Sequence, residues 1–154
     1  MIEKINQELI GEKVNEALNQ FLQKDFELLQ INANERTLTH RVALYLQNLF
    51  PNFHVDCEYN RDDHEPKDMQ LPGGQPDQYD THAQTVYPDI IVHHRRTTEN
   101  ILVMEFKKTS SKITDEKDFI KLQAYKQQLG YQHAIFVEFD VGQKSQGISR
   151  FEWV

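Results

Sequence analysis

With 154 residues, 38% of them hydrophobic and 10% aromatic, the chain has the length of one ordinary domain and the composition of a folding globular protein, which excludes a disordered tail. A net charge of -7 argues against broad, sequence-blind binding to phosphate backbones, which needs many Lys and Arg contacts. No apolar run approaches the roughly 20 residues of a membrane helix, and Met1-Ile-Glu-Lys lacks the apolar stretch of a signal peptide, so a cytoplasmic protein with no membrane partner is expected.

From Ile2 to about Ile31, Ile5, Leu9, Val14, Leu18, Phe21, Leu22, Leu28 and Leu29 recur near helical spacing, with a drift around Gly11. The pattern predicts one interrupted helix or two short ones, a helical N-terminal segment over 1–31. A second helix begins behind Asn34, a good N-cap, and carries Leu38, Val42, Tyr45, Leu46 and Leu49 to its stop at Pro51.

Phe53 to Tyr59 alternates and is β-rich, which predicts a strand with Cys57, the only cysteine, as a buried thiol. A lone cysteine excludes an internal disulfide and a thiolate zinc site. The polar stretch 61–84, with Pro66, Pro72-Gly73-Gly74 and Pro76, reads as a long loop able to cover or gate a cleft. Within it, Asp62-Asp63-His64-Glu65 lacks the alternating acids and central Gly of a calcium loop and reads as a solvated turn.

Val86 to His93 and Ile101 to Lys107 are β-type runs around a polar tip, Arg95 to Glu99, and predict a hairpin. Asp115 to Leu129 is amphipathic, with Phe119, Leu122, Tyr125 and Leu129 on one face, Lys117 and Lys121 away from it, and Gly130 as terminator. Ala134 to Phe139 and Ile148 to Val154 are the last predicted strands. This order fits a single α/β domain over 1–154, a mixed central sheet flanked by helices.

The chemistry concentrates in the hairpin. Side chains alternate along a strand, so Glu105 and Lys107 share a face with Ile101 and Val103, the two charged residues about 6 to 7 Å apart. Charged groups on an inward, apolar face are costly unless paired, hydrated or holding a metal. If His94 pairs with Asn100, every pair sums to 194 and Asp89 falls opposite Glu105. Opposed carboxylates destabilise a sheet unless a cation joins them, and a one-residue slip would dissolve the arrangement. Glu35, in the first turn of the second helix and three and seven residues before Leu38 and Val42, lies on the packing face and could reach the same cleft; a plain helix-dipole role would also explain it.

Tyr87-Pro88-Asp89, followed on the next strand by Glu105-Phe106-Lys107, resembles the PD-(D/E)xK nuclease superfamily, and the resemblance runs from the helix bearing Glu35 to the strand after the Asp115 helix. It implies a restriction-endonuclease-like fold in which Asp89 and Glu105, helped by Glu35 and the Phe106 carbonyl, bind Mg2+ or Mn2+, while Lys107 orients or activates the attacking water. The implied activity is phosphodiester hydrolysis of nucleic acid, most naturally by a DNA endonuclease, with a homodimer to cut both strands. Gln123 and Tyr125 are similar to polar helix residues of such nucleases, although Gln123-Ala-Tyr125 departs from the Q-x-x-x-Y spacing of the exonuclease branch.

Charge placement bears on partners. Residues 1 to 86 hold 7 Lys+Arg against 15 Asp+Glu, and residues 87 to 126 hold 8 against 6. Lys108, Lys112, Lys117, Lys121 and Gln123 are therefore candidate substrate contacts, with a solvated helix face as the plain alternative. Glu58 is either an extra ligand or a solvent-facing strand acid, and His93-His94, pointing to opposite faces, suits a structural or hairpin-tip role. Two other readings compete with catalysis: a catalytically inactive nuclease-fold binding or assembly module, and an inhibitor-like domain whose acidic N-terminal half binds a basic protein partner.

Overall fold

A computed structural model describes residues 4–60, 68–70, 83–85 and 87–154. Its centre is a five-stranded mixed sheet in the order β1-β4-β5-β6-β7, with strands β1 (His54–Cys57), β4 (Ile90–His93), β5 (Asn100–Lys108), β6 (His133–Asp140) and β7 (Gly147–Trp153). Neighbours are antiparallel except β5 and β6, which run parallel and are joined through helix α3 (Glu116–Leu129). Helices α1 (Gln7–Gln30) and α2 (Glu35–Leu49) precede the sheet. Most of the predicted 61–84 loop lies outside the described residues, as do the Asp62–Glu65 turn and Val86. The part that is described is not loop: β2 (Asp68–Gln70) and β3 (Ala83–Thr85) form an antiparallel pair, which the Pro- and Gly-rich composition around them conceals.

The sheet separates two apolar clusters. Leu102, Met104 and Phe106 of β5 join Ile90, Val92, Ile135, Val137 and Phe139 beneath α1 and α2, whereas Val103 joins Ile91, Ala134 and Phe136 beneath Leu122 and Tyr125 of α3. The strand alternation therefore assigns α1 and α2 to one face and α3 to the other. Glu105 and Lys107 share the parity of Val103 and so face α3. Ile101 does not. The ladder passes from Val92↔Leu102 to His93↔Asn100, so Ile101 is an extra residue on β5 and turns into the α1/α2 cluster.

Helix α1 is continuous through Gly11, contrary to the expected interruption. Gly11 is where the helix meets Trp153: a Cβ built there would lie 3.1 Å from the indole. The bend occurs instead at Asp25, whose φ of -124° and ψ of 19° are not helical. Its carboxylate is gripped at 3.2 Å by Arg41 and hydrogen-bonded by the Tyr45 hydroxyl, tying α1 to α2. Helix α2 starts as expected, with the Asn34 side chain accepting the Thr37 N–H at 2.8 Å. Helix α3 ends on Gly130 at φ 70°, the left-handed stop that favours glycine. Cys57 closes β1 but is exposed, not buried; its thiol meets the Thr39 carbonyl, and desolvation there pushes it up to about 11. Among the described residues no helix is long and apolar enough to cross a membrane.

Candidate functional site

The register of the β4–β5 hairpin decides the site. Ile90↔Met104, Ile91↔Val103 and Val92↔Leu102 keep the expected sum of 194, and continuing it one step sets Asp89 opposite Glu105. The tip departs from expectation: His93, not His94, pairs with Asn100, and the His94 N–H donates to the Glu99 carbonyl at 3.1 Å. The extra Ile101 absorbs this shift before it reaches the carboxylates.

Asp89 stands just before β4 and is fixed on both sides. Its Oδ2 accepts the Phe106 backbone N–H at 2.8 Å, while its carbonyl and that of Pro88 accept the Glu58 N–H at 3.3 and 2.9 Å. Glu58 reaches that position with a φ of 51°, a left-handed conformation that costs a non-glycine residue energy. Its side chain pairs with Arg36 at 3.2 Å, linking the Asp89 strand entry to the start of α2; Glu58 thus lies just past β1, not on it, and has a structural task.

Asp89 and Glu105 share a hydrogen bond, and both are pushed above the usual carboxylate range. Burial is the first cause for each; for Glu105, only 2% exposed, the facing Asp89 charge is the second. Two acids this close hold a proton between them and titrate as a unit. Glu105 Oε1 accepts the Tyr125 hydroxyl at 3.0 Å and lies 3.8 Å from Lys121 Nζ. Lys121 and Tyr125 stand four apart on α3, hence on one face. The expectation that Lys121 points away from the packed face is thereby corrected.

Glu35 belongs to the same electrostatic group. It is half-buried at the start of α2 and pushed up to about 7, by burial first and then by Asp89, with Lys107 and Lys108 acting the other way. Beside it a hollow of about 450 Å3 is lined by Asn34, Arg36, Thr39, His40, Cys57 and Glu58. Lys107 turns toward α3, its Nζ 2.8 Å from Asp118 Oδ2 and 3.4 Å from the Thr114 carbonyl. Lys108 spends its ammonium on the Ala33 carbonyl at 3.0 Å. Lys112, Lys117 and Gln123 are exposed; Gln123, two residues from both Lys121 and Tyr125, is off their face.

Asp118 is the site neighbour that the sequence reading passed over and Lys121 the one it turned away from the packed face, whereas Tyr125 was placed on that face and named among the polar helix residues. The i, i+4 step from Lys121 to Tyr125 was the available signal. His93 is structural: it bonds Asp56 at 2.7 Å, and against the burial that would raise it, His93 and Arg95 hold Asp56 well below the usual range. His94 lies at the hairpin tip, its ring 4.5 Å from that of Phe53.

Among the described residues no three His, Cys, Asp or Glu side chains are grouped so as to hold a metal ion. The close donors are two carboxylates, Asp89 and Glu105. Compared with protein-family models, with curated proteins and with solved structures, the chain finds no match.

Proposed function

We propose that this chain is a divalent-metal-dependent nuclease, a DNA endonuclease on a restriction-endonuclease-like fold. The observation that carries the reading is the meeting of Asp89 and Glu105 across the β4–β5 ladder, with Lys107 two residues further along the same strand face. Supporting the fold are the antiparallel hairpin, the helical connection to parallel β6 and the placement of α2 at the hairpin's charged end.

The donor set suits Mg2+ or Mn2+. Hard cations take oxygen ligands, and Mg2+ is commonly held by one or two carboxylates while keeping several waters, so the Asp89 and Glu105 pair suffices without a third acid. A cation would favour the ionised forms of both acids, against the burial that pushes them up. When bound, it acidifies a water and neutralises charge growing on a phosphate during in-line attack.

The remaining roles fall to the chain itself. The Phe106 N–H fixes the Asp89 carboxylate, and the Tyr125 hydroxyl and Lys121 orient Glu105. Lys107 brings a fixed positive charge beside the reacting phosphate without having to lose its proton. Glu35, pushed up to about 7, would be the group available to accept a proton. Cutting both strands of a duplex calls for two copies acting together.

The test is Mg2+- or Mn2+-dependent cleavage of plasmid DNA, compared with Asp89→Ala and Lys107→Ala. Activity lost in both variants supports the reading, and equal activity in all three proteins sinks it.

A second reading, a non-catalytic binding or assembly module, is favoured by the depth of Glu105 and the net charge of -7. Mn2+ calorimetry separates the two: a nuclease binds the ion and loses it in Glu105→Gln, and an inert module shows no binding.

A further inference from the structure

Asp118 is an unusual acid for its place in the fold. First-turn acids commonly sit in solvent, where they complement the helix dipole. Glu116 does so, being exposed, but Asp118 is 8% exposed and packed against β5. Burying a carboxylate costs several kcal/mol unless a counter-charge accompanies it. The partner is Lys107, Nζ to Oδ2 2.8 Å, with both side chains near one-eighth exposed.

The contact is one of charge more than of directed hydrogen bonding, because among the described residues Asp118 Oδ2 has no partner in hydrogen-bond geometry. The ammonium also meets the Thr114 carbonyl at 3.4 Å. Both holds come from the segment entering α3, so the ammonium is drawn toward that helix. Asp118 also reaches electrostatically to Asp89 and Glu35, which places it within the same cluster.

Lys107 has a competing destination. Glu105 lies two residues back on the same strand face, a step a lysine side chain can span, and Asp89 lies beside it. In a low-dielectric setting an ammonium without its own counter-ion moves to the nearest carboxylate.

We infer that Asp118 is the positioning residue for Lys107: it draws the ammonium to the start of α3 and so leaves the Asp89 and Glu105 carboxylates to a divalent cation. The inference rests on the nuclease reading and adds to it a residue that acts only through another. Removing the Asp118 charge would let Lys107 fold back onto the acid pair and compete with the metal.

The experiment is Mn2+ titration calorimetry on the full chain in four proteins: wild type, Asp118→Asn, Lys107→Met and the double variant. Asp118→Asn should weaken Mn2+ binding about tenfold when Lys107 is present, the size of a displaced neighbour's effect on metal affinity. On the Lys107→Met background the same change should cost less than about twofold, because no ammonium is left to misplace. DNA cleavage by Asp118→Asn should show a fall in kcat with KM unchanged.

Equal losses on the two backgrounds, or no loss on either, overturn the role of Asp118 while leaving the nuclease reading standing. A wild type that binds no Mn2+ and cuts no DNA removes both. Should Asp118→Asn fail to fold, Asp118→Glu decides: it keeps the charge and should stay within threefold of wild-type Mn2+ affinity, and a tenfold loss overturns the inference.

Discussion

Replacing Tyr125 with Phe isolates one hydroxyl in the middle of the molecule. The ring is fully buried and stays in place in the variant, so no cavity opens; what disappears is the donor, 3.0 Å away, to Glu105 Oε1. Lys121 Nζ, at 3.8 Å, is beyond hydrogen-bond reach, and among the described residues the other partner of Glu105 is the acid Asp89. A buried acceptor stripped of its donor costs about 1 to 3 kcal/mol. On a urea slope of about 2 kcal/mol per molar, the unfolding midpoint should fall by roughly 0.5 to 1.5 M at constant slope. The sign with pH is also fixed. The Tyr125 hydroxyl favours ionised Glu105, so its loss raises an already raised folded-state pKa and the penalty falls on the ionised form. The deficit relative to wild type should therefore grow as pH rises from the ordinary carboxylate range toward alkaline conditions. A midpoint unchanged by the substitution, or a deficit that shrinks with rising pH, would refute the account of Tyr125 as the donor that steadies this acid.

Glu35→Gln should alter how stability responds to pH. The folded protein holds the Glu35 proton more tightly than the unfolded chain does, so the stability tied to it is full below about pH 4.5 and is lost as pH climbs to about 7. Unscreened, that shift corresponds to at most about 3 kcal/mol, and solvent screening at a half-buried position reduces it to on the order of 1 kcal/mol; urea midpoints of wild type and variant that run parallel over this window would contradict it. Gly11→Val should destabilise by about 1 to 3 kcal/mol through overpacking against Trp153. Because Trp153 is the single tryptophan, its fluorescence reports the displacement directly, and an unshifted emission with unchanged stability would show that the helix and β7 do not meet closely there.

The parts of the fold that were legible are those governed by local chemistry. Asn34 and Gly130 bound α2 and α3 because a side-chain acceptor and a left-handed residue serve helix ends wherever they occur. The carboxylate pairing was legible through the two-residue period of β4 and β5, even though the tip was paired wrongly. The missing element was Ile101: nothing in an apolar run distinguishes a bulged residue from a regular one, because the bulge answers to the twist of the hairpin. The interruption of α1 was expected around Gly11, where the apolar spacing drifts, yet tertiary contacts decide where the helix bends, a tryptophan filling the glycine notch and Arg41 and Tyr45 pulling on Asp25. Asp118 escaped notice because a first-turn acid has a sufficient local explanation; its burial depends on β5, which is distant in sequence. The β2–β3 pair was hidden because three-residue strands carry too few side chains to display a period.

The position of the bulge has a consequence for how this protein can vary. A hairpin without an irregularity transmits any gain or loss of a tip residue along its whole length, and every side chain beyond changes face. Here the extra residue lies between the tip and the acids, and its side chain is locked into the core beneath α1 and α2. The one-residue offset of the His93–Asn100 pair at the tip is taken up at Ile101, and Asp89 and Glu105 stay opposed.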